Sequence, residues 1–160
     1  MEKVSLKRSE IVLLGRSMFE LAHSTPTMKG KIAFAITKNQ GRIKPFMKQQ
    51  GEKQQEILDK YVKMEGKGKD LNYVLTKPTE EEIKAGAQPE YVYKDKKEGP
   101  KKAEAEMNKF MDEEVEMELH QIWQNDFESL DINLARNENI GVFIDLLVNE
   151  ASDPQNLRKA

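Results

Sequence analysis

The chain has 160 residues, of which 38% are hydrophobic and 34% charged, with no cysteine and a formal net charge of −2. This length fits one domain, and the high charged fraction predicts that part of the chain is solvated or rests on a partner. The lack of cysteine excludes disulfides, thiol nucleophiles and Cys-ligated zinc. The longest apolar run, residues 32–36, is too short to span a bilayer, and residues 1–5 lack signal-peptide features. We therefore expect a soluble, intracellular protein without a membrane partner.

The charges are unevenly distributed along the chain. Residues 28–69 hold eleven Lys or Arg against four acidic residues, whereas residues 104–153 hold fourteen acidic residues against two basic ones. Such asymmetry predicts either that the two segments attract each other in the fold or that the molecule presents faces of opposite sign to partners.

The first elements are a strand and a helix. Val4 and Leu6 alternate with polar residues, which predicts a short edge strand over residues 3–7. Ser9 has the character of a helix N-cap, and the helix after it should end near residues 24–26. Its apolar face follows helical spacing through Ile11, Leu14, Met18 and Leu21.

A long helix is predicted over residues 28–64. Pro45 should kink or split it, because proline has no backbone N–H and its ring clashes with the preceding turn. Residues 48–56 are almost wholly polar and form either a solvated spacer or a projecting arm. The apolar seam, which suits a long antiparallel partner, comprises Ile32, Ile36, Ile43, Met47, Ile57, Tyr61 and Met64.

A β-hairpin with an elaborated tip is predicted after the glycine-containing break at residues 66–69. Residues 72–76 and 90–94 have strand character, and between them Thr79 and Glu82 form a capping-box pattern over one helical turn that ends at Gly86. Tyrosine is enriched at protein interfaces, so we predict that this hairpin contacts partners and that the rest folds without it. The candidate interaction residues are Tyr73, Val74, Tyr91, Val92 and Tyr93.

The last third should contain a helix, a strand and a closing helix. The helix over residues 101–112 has Ala103, Met107, Phe110 and Met111 on one face. Val115, Met117 and Leu119 then alternate with polar residues, which predicts a strand over residues 114–122 that pairs with residues 3–7. The closing helix is indicated by Ile140, Phe143, Ile144, Leu147 and Val148.

These elements predict a mainly helical α+β fold. Long helices pack against each other, with a β-hairpin excursion, a small sheet and a C-terminal helix. The chain forms a single domain, residues 1–160, in which residues 66–100 are an arm.

The acidic strand raises the question of a metal site. Alternation places Glu114, Glu116, Glu118 and His120 on one strand face, where oxygen and imidazole ligands could bind a divalent cation. Carboxylates about 7 Å apart along a strand do not close around an ion without further ligands. We therefore expect no metal, and instead a solvated or partner-facing acidic surface in which the interaction candidates are Glu114, Glu116 and Glu118.

Nucleic-acid binding and catalysis are poorly supported. The basic segment has one arginine in residues 29–48 and few aromatic residues, which does not favour base readout or stacking. His23 and His120, the two histidines, have no partner at a spacing that indicates catalysis. We expect no catalytic residue, no cofactor and no nucleic-acid partner.

Four stretches carry a resemblance to a known family of small uncharacterised bacteriophage proteins. They are Leu6-Lys7-Arg8-Ser9-Glu10-Ile11, Met28-Lys29-Gly30-Lys31-Ile32-Ala33-Phe34-Ala35-Ile36-Thr37-Lys38-Asn39, residues 114–122 and Asp131-Ile132. Members of this family run a Lys-Gly-Lys-aromatic-Ala-Ile-x-Lys-Asn stretch into a long helix. The resemblance implies a phage origin and gives no catalytic residues.

The function expected from the sequence is that of a non-enzymatic phage protein acting through protein–protein contacts, as a virion component or assembly factor. It would reside in the host cytoplasm or the virion and bind phage structural proteins, a host protein or further copies of itself. The alternative is a host-takeover or anti-defence inhibitor that uses its acidic surface to imitate nucleic acid. An enzyme is a third and weaker alternative.

Overall fold

The structure, a computed structural model, describes residues 2–24, 30–128 and 147–149. Its elements confirm a mainly helical α+β fold. In chain order they are β1 Glu2–Lys7, α1 Arg8–Ser24, α2 Gly30–Tyr61, β2 Met64–Glu65, a 3₁₀ turn Gly68–Asp70, β3 Asn72–Tyr73, α3 Glu80–Lys84, α4 Gly99–Met111, β4 Glu114–Leu119, β5 Ile122–Trp123, α5 Gln124–Glu128 and β6 Val148–Asn149.

The chain divides into two compact units. Unit 1 comprises Met1–Gln49 and Met111–Ala160, and unit 2 comprises Gln50–Phe110. The arm expected over residues 66–100 therefore lies inside a larger compact unit that includes the end of α2 and most of α4. None of the described helices is both long enough and apolar enough to cross a membrane.

The core of unit 1 is built by the apolar faces of α1, α2 and β4. Gly15 lets α1 approach α2 closely, because a Cβ at this position would lie 3.2 Å from Cγ2 of Ile43. The periodicity predicted for α1 is confirmed, since each of its four apolar-face residues is buried. The buried core residues include Leu6, Ile11, Leu14, Met18, Leu21, Ile32, Ala35, Ile36, Ile43, Met117, Leu119 and Ile122.

The predicted strand pair is confirmed as an antiparallel sheet of β1 and β4. Lys3 lies opposite Glu118, and Lys7 lies opposite Glu114. The backbone N–H of Arg8 donates to the carbonyl of Glu113 at 3.0 Å. In an antiparallel ladder this bond makes Lys7 and Glu114 a non-hydrogen-bonded pair, whose backbone groups point away from the partner strand. The alternate backbone groups of β4, at residues 114, 116 and 118, therefore face its outer edge.

The long helix α2 is continuous through Pro45, so the proline does not split it. Residues 48–56 belong to this helix and are mostly exposed, in agreement with a solvated segment. The apolar seam differs from its prediction at two residues: Met47 and Met64 are each 37% exposed, and Met64 belongs to β2 rather than to the helix.

The closing helix lies almost entirely outside the described residues. Leu147 is helical and buried, whereas Val148 starts β6, which pairs in parallel with β5. Leu147 and Val148 both join the unit 1 core, as their apolar character predicts.

Unit 2 contains a closed ring of three backbone hydrogen bonds. Lys63 donates to the carbonyl of Val92 at 2.8 Å, Val92 to that of Val74 at 2.9 Å, and Val74 to that of Lys63 at 2.9 Å. Around this ring, three antiparallel pairs form between the flanking residues: Val62 with Tyr93, Met64 with Tyr73, and Leu75 with Tyr91. The expected hairpin thus exists, but a third segment, residues 61–65, completes it.

The tip of the hairpin folds as its sequence predicts. Thr79 Oγ1 accepts a hydrogen bond from the backbone N–H of Glu82 at 3.3 Å and donates to the Glu82 carboxylate at 3.1 Å. α3 is followed by Gly86, which has φ of +96°, a conformation that favours glycine. The N-cap at Thr79 and the C-terminal glycine are therefore confirmed, while the Glu82 carboxylate binds the Thr79 hydroxyl.

The helices of unit 2 pack as expected. The Lys60 ammonium lies 2.6 Å from the Glu106 carboxylate, and the Tyr61 hydroxyl donates to the same carboxylate at 2.5 Å. The Lys53 ammonium lies 6.0 Å from the Phe110 ring centroid. These contacts join the last turns of α2 to α4, so the predicted packing of the two helices is confirmed.

Candidate protein-interaction site

The three antiparallel pairs of unit 2 place their side chains on one face. Directly opposed residues point to the same side of a sheet, as do residues i and i+2 of one strand. The side chains of the six paired residues therefore lie on one face of this small sheet. The side chains of Lys63, Val74 and Val92 lie on the opposite face. We call the first set the junction face; its members are Val62, Met64, Tyr73, Leu75, Tyr91 and Tyr93.

One part of the junction face is anchored to the helices. The Tyr73 hydroxyl hydrogen-bonds to the Asp59 carboxylate and to Gln55, both on α2. The bond to Asp59, followed by desolvation, raises the pKa of Tyr73 to about 12, so the phenol stays neutral at physiological pH. Tyr93 packs against Gly99, where an added Cβ would lie 3.0 Å from the Tyr93 Cβ. Tyr73 and Tyr93 therefore position this face rather than project from it.

The remaining part of the junction face is exposed and apolar. Leu75 is 46% exposed, Tyr91 40% and Met64 37%. The Tyr91 ring meets the Tyr73 ring edge to face, with centroids 5.9 Å apart. A shallow cavity of about 540 Å³ lies between Leu75, Tyr91 and Tyr93. Exposed apolar residues clustered around a rigid aromatic pair are typical of protein-binding surfaces.

The structure separates the predicted hairpin candidates by role. Val74 and Val92 lie in the hydrogen-bonded ring and are half-buried, so their main contribution is to the backbone junction. Tyr91 is the candidate that is most open to a partner. Leu75 and Met64 were not predicted, because only the strand register brings them to the same face as Tyr91.

The acidic strand is largely compensated by basic groups. Glu114 and Glu116 are exposed and Glu118 is half-buried. Arg42 donates to the carbonyl of Glu118 at 3.0 Å and lies 3.4 Å from its carboxylate. Across the sheet, Lys3 and Lys7 lie opposite Glu118 and Glu114, where opposed charges stabilise each other.

Metal binding and histidine chemistry are the other two candidate activities. In the part of the chain that the structure describes, no group of three or more His, Asp or Glu side chains is arranged to hold a metal ion. His23 lies in the last turn of α1 and donates from Nδ1 to the carbonyl of Phe19 at 2.9 Å, as a helix-end histidine is expected to do.

Comparison of the chain with protein-family models, with curated proteins and with solved structures gave no match in any of the three.

Proposed function

We propose that this protein is a non-enzymatic binding protein that acts through protein–protein contacts made by the junction face of unit 2. The observation that carries the proposal is the exposed set of Met64, Leu75 and Tyr91, held on one face by the backbone ring. Burying such side chains against a partner releases about 25 cal/mol per Å² of apolar surface. Because the ring and the Tyr73 anchor already fix the surface, binding requires little additional ordering.

The setting we propose is a bacteriophage, with the protein as a virion component or assembly factor. The support for this setting is the sequence resemblance over residues 6–11, 28–39, 114–122 and 131–132. Its partners would be phage structural proteins or other copies of the chain, and its location the virion or the host cytoplasm.

The inhibitor alternative has weaker support. A surface that imitates nucleic acid needs uncompensated negative charge over a broad area. Here Arg42 lies 3.4 Å from the Glu118 carboxylate, and Lys3 and Lys7 lie opposite Glu118 and Glu114 in the strand register. An acidic-surface inhibitor would bind its target through Glu114 and Glu116, the two exposed carboxylates of the strand.

The test compares two substitutions in unit 2. Leu75→Lys places a charge on the junction face, whereas Ile83→Lys places one on α3 at a residue that is 55% exposed. We expect Leu75→Lys to abolish self-association in analytical ultracentrifugation or co-purification with phage particles, and Ile83→Lys to leave both intact. Circular dichroism should show equal helix content in the two variants.

Three results would contradict the proposal. One is equal association by the two variants, and another is a monomer that never co-purifies with particles. The third is loss of binding to a host enzyme in Glu114→Gln together with Glu116→Gln but not in Leu75→Lys, which would favour the inhibitor alternative.

A further inference from the structure

A second surface feature lies in unit 1, independent of the junction face. A pocket of about 430 Å³ opens where the first turns of α2 meet the segment between β4 and α5. This volume falls in the range of small-molecule sites, roughly 300–1,000 Å³. The residues that give it chemical character are Lys31, Phe34, His120, Trp123 and Asp126.

The pocket has aromatic walls. Phe34 is 55% exposed although it belongs to a helix whose adjacent residue Ala35 is buried. Its ring meets the His120 imidazole edge to face at 5.7 Å between centroids, and the half-buried Trp123 forms another wall. An accessible aromatic surface of this kind is suited to packing against a second flat ring.

The charges around the pocket favour an anion over a cation. The Lys38 ammonium lies 5.4 Å from the Phe34 ring centroid, and Lys31 lines the pocket. Burial, and then the positive charges of Arg42 and Lys38, lower the pKa of His120, while Glu118 acts in the opposite direction. The imidazole is therefore neutral near pH 7, so Lys31 and Lys38 rather than His120 supply positive charge on this side of the pocket.

A buried carboxylate in the pocket lining offers a hydrogen-bond acceptor. Asp126 is 7% exposed and takes part in other contacts within the protein. A carboxylate has about four lone-pair positions, so it can also accept from an N–H or O–H group of a bound ring.

We propose that this pocket binds a small planar aromatic molecule that carries an anionic group. The ring packs against Phe34 and Trp123, and the anionic group lies toward Lys31 and Lys38. Two sources share this chemistry, mononucleotides and simple aromatic carboxylates, and direct titration distinguishes them.

The chain provides its own reporter, because Trp123 is its single tryptophan. The full-length protein is titrated with adenosine 5′-monophosphate and with 4-hydroxybenzoate, by calorimetry and by Trp123 emission. We expect saturable binding of one of the two. Ribose 5-phosphate, which lacks the ring, and benzylamine, which reverses the charge, should bind at least tenfold more weakly.

Two aromatic residues form a matched pair for the variant test. Phe34 and Phe19 are 55% and 58% exposed, both lie on helices, and each contacts a histidine ring. Phe34→Ala should weaken binding at least tenfold, and Phe19→Ala should leave it unchanged. Lys38→Glu should weaken binding of the anionic ligand. It should change the affinity for uncharged adenosine or benzyl alcohol by less than twofold.

The proposal is overturned if neither aromatic anion binds saturably at millimolar concentration, or if benzylamine binds as tightly as they do. It is also overturned if Phe34→Ala and Phe19→Ala, each with wild-type circular dichroism, affect binding equally. None of these results bears on the junction face, which the association assays test separately.

Discussion

The side-chain amide of Asn39 forms two reciprocal hydrogen bonds with the backbone of His120. Asn39 Nδ2 donates to the His120 carbonyl at 2.9 Å, and the His120 N–H donates to Asn39 Oδ1 at 2.8 Å. Asn39 is completely buried. Its amide takes the place of a neighbouring strand's peptide group, and Arg42, nearly one helical turn further on, binds the carbonyl of Glu118. α2 thus satisfies the outer edge of β4 at the point where a sheet edge would otherwise be open to pairing.

Replacing Asn39 should destabilise unit 1 strongly. Asn39→Ala leaves the N–H and the carbonyl of His120 without their partner, at a cost of about 2–4 kcal/mol in the free energy of unfolding. Asn39→Asp should also destabilise unit 1, because a carboxylate can accept a hydrogen bond from the His120 N–H but repels the His120 carbonyl oxygen. Urea denaturation measures both. The neighbouring substitution Gln40→Ala should cost about 0.5 kcal/mol or less, and equal losses at both positions would contradict this role for Asn39.

Three glycines should respond differently to alanine. Gly66 has φ of +96°, and an added Cβ would lie 2.2 Å from the Asp70 carbonyl oxygen, so Gly66→Ala must distort the turn between β2 and β3. Gly68, with φ of +60°, has open space around it, and alanine there should cost about 1 kcal/mol. Gly51 lies in α2 with open space, where alanine should stabilise by about 0.5–1 kcal/mol. Thermal melts should rank Gly51→Ala first, wild type next, then Gly68→Ala and Gly66→Ala.

The apolar seam of α2 should be essential only where it is buried. Ile36 is 3% exposed, and Ile36→Asp places an unpaired carboxylate in the unit 1 core at a cost of about 3 kcal/mol or more. The adjacent Thr37 is exposed, so Thr37→Asp should change the melting temperature little. Similar losses in the two variants would show that this part of the seam is not core.

The ion pair of Lys60 and Glu106 should give unit 2 a measurable acid dependence. Hydrogen bonds from Lys60 and then Tyr61 lower the pKa of Glu106 in the folded state. Its contribution to stability is therefore present above the unfolded pKa, about 4.3, and is lost as the pH falls through the folded pKa. The difference in melting temperature between wild type and Glu106→Gln should shrink between pH 6 and pH 3. A difference that stays constant over this range, or an equal trend in Glu104→Gln, an exposed residue on another face of α4, would contradict the assignment.

Deleting the hairpin tests the ring of unit 2. The sequence predicts that a Gly/Ser linker in place of residues 72–94 leaves folding intact. The structure changes this expectation, because the deletion removes Val74 and Val92, two of the three residues in the ring. We expect α4 to lose protection in hydrogen exchange while α1 keeps it. Replacing only the tip, residues 78–88, should leave both helices protected.

Local patterns predicted several elements correctly. The period of Ile11, Leu14, Met18 and Leu21 located the buried face of α1, and the alternation around Met117 located β4. The capping pattern of Thr79 and Glu82 located the N-cap of α3, which forms within four residues. In each case the interactions that determine the element join residues close in sequence, so the local residue pattern is sufficient to predict it.

The charge asymmetry of the sequence allowed either attraction between the basic and acidic segments or two faces of opposite sign, and two ion pairs between the segments, Arg42 with Glu118 and Lys60 with Glu106, agree with the first. Periodicity could not show which residues pair. Apolar spacing continues past Tyr61 and so predicts a seam that reaches Met64. The helix ends at Tyr61, however, and Met64 lies in β2.

Only the tertiary structure decided the candidate sites. A strand pattern gives the apolar side of one segment but not the segment that will lie opposite it, so the joining of Met64, Leu75 and Tyr91 on one face depends on long-range register. The pocket beside Phe34 likewise needs α2 and the β4–α5 segment, more than 80 residues apart in the chain, to meet. Asn39 reads as an ordinary polar residue in a helix until His120 is placed beside it, because the free energy of a buried hydrogen bond depends on the partner that folding supplies.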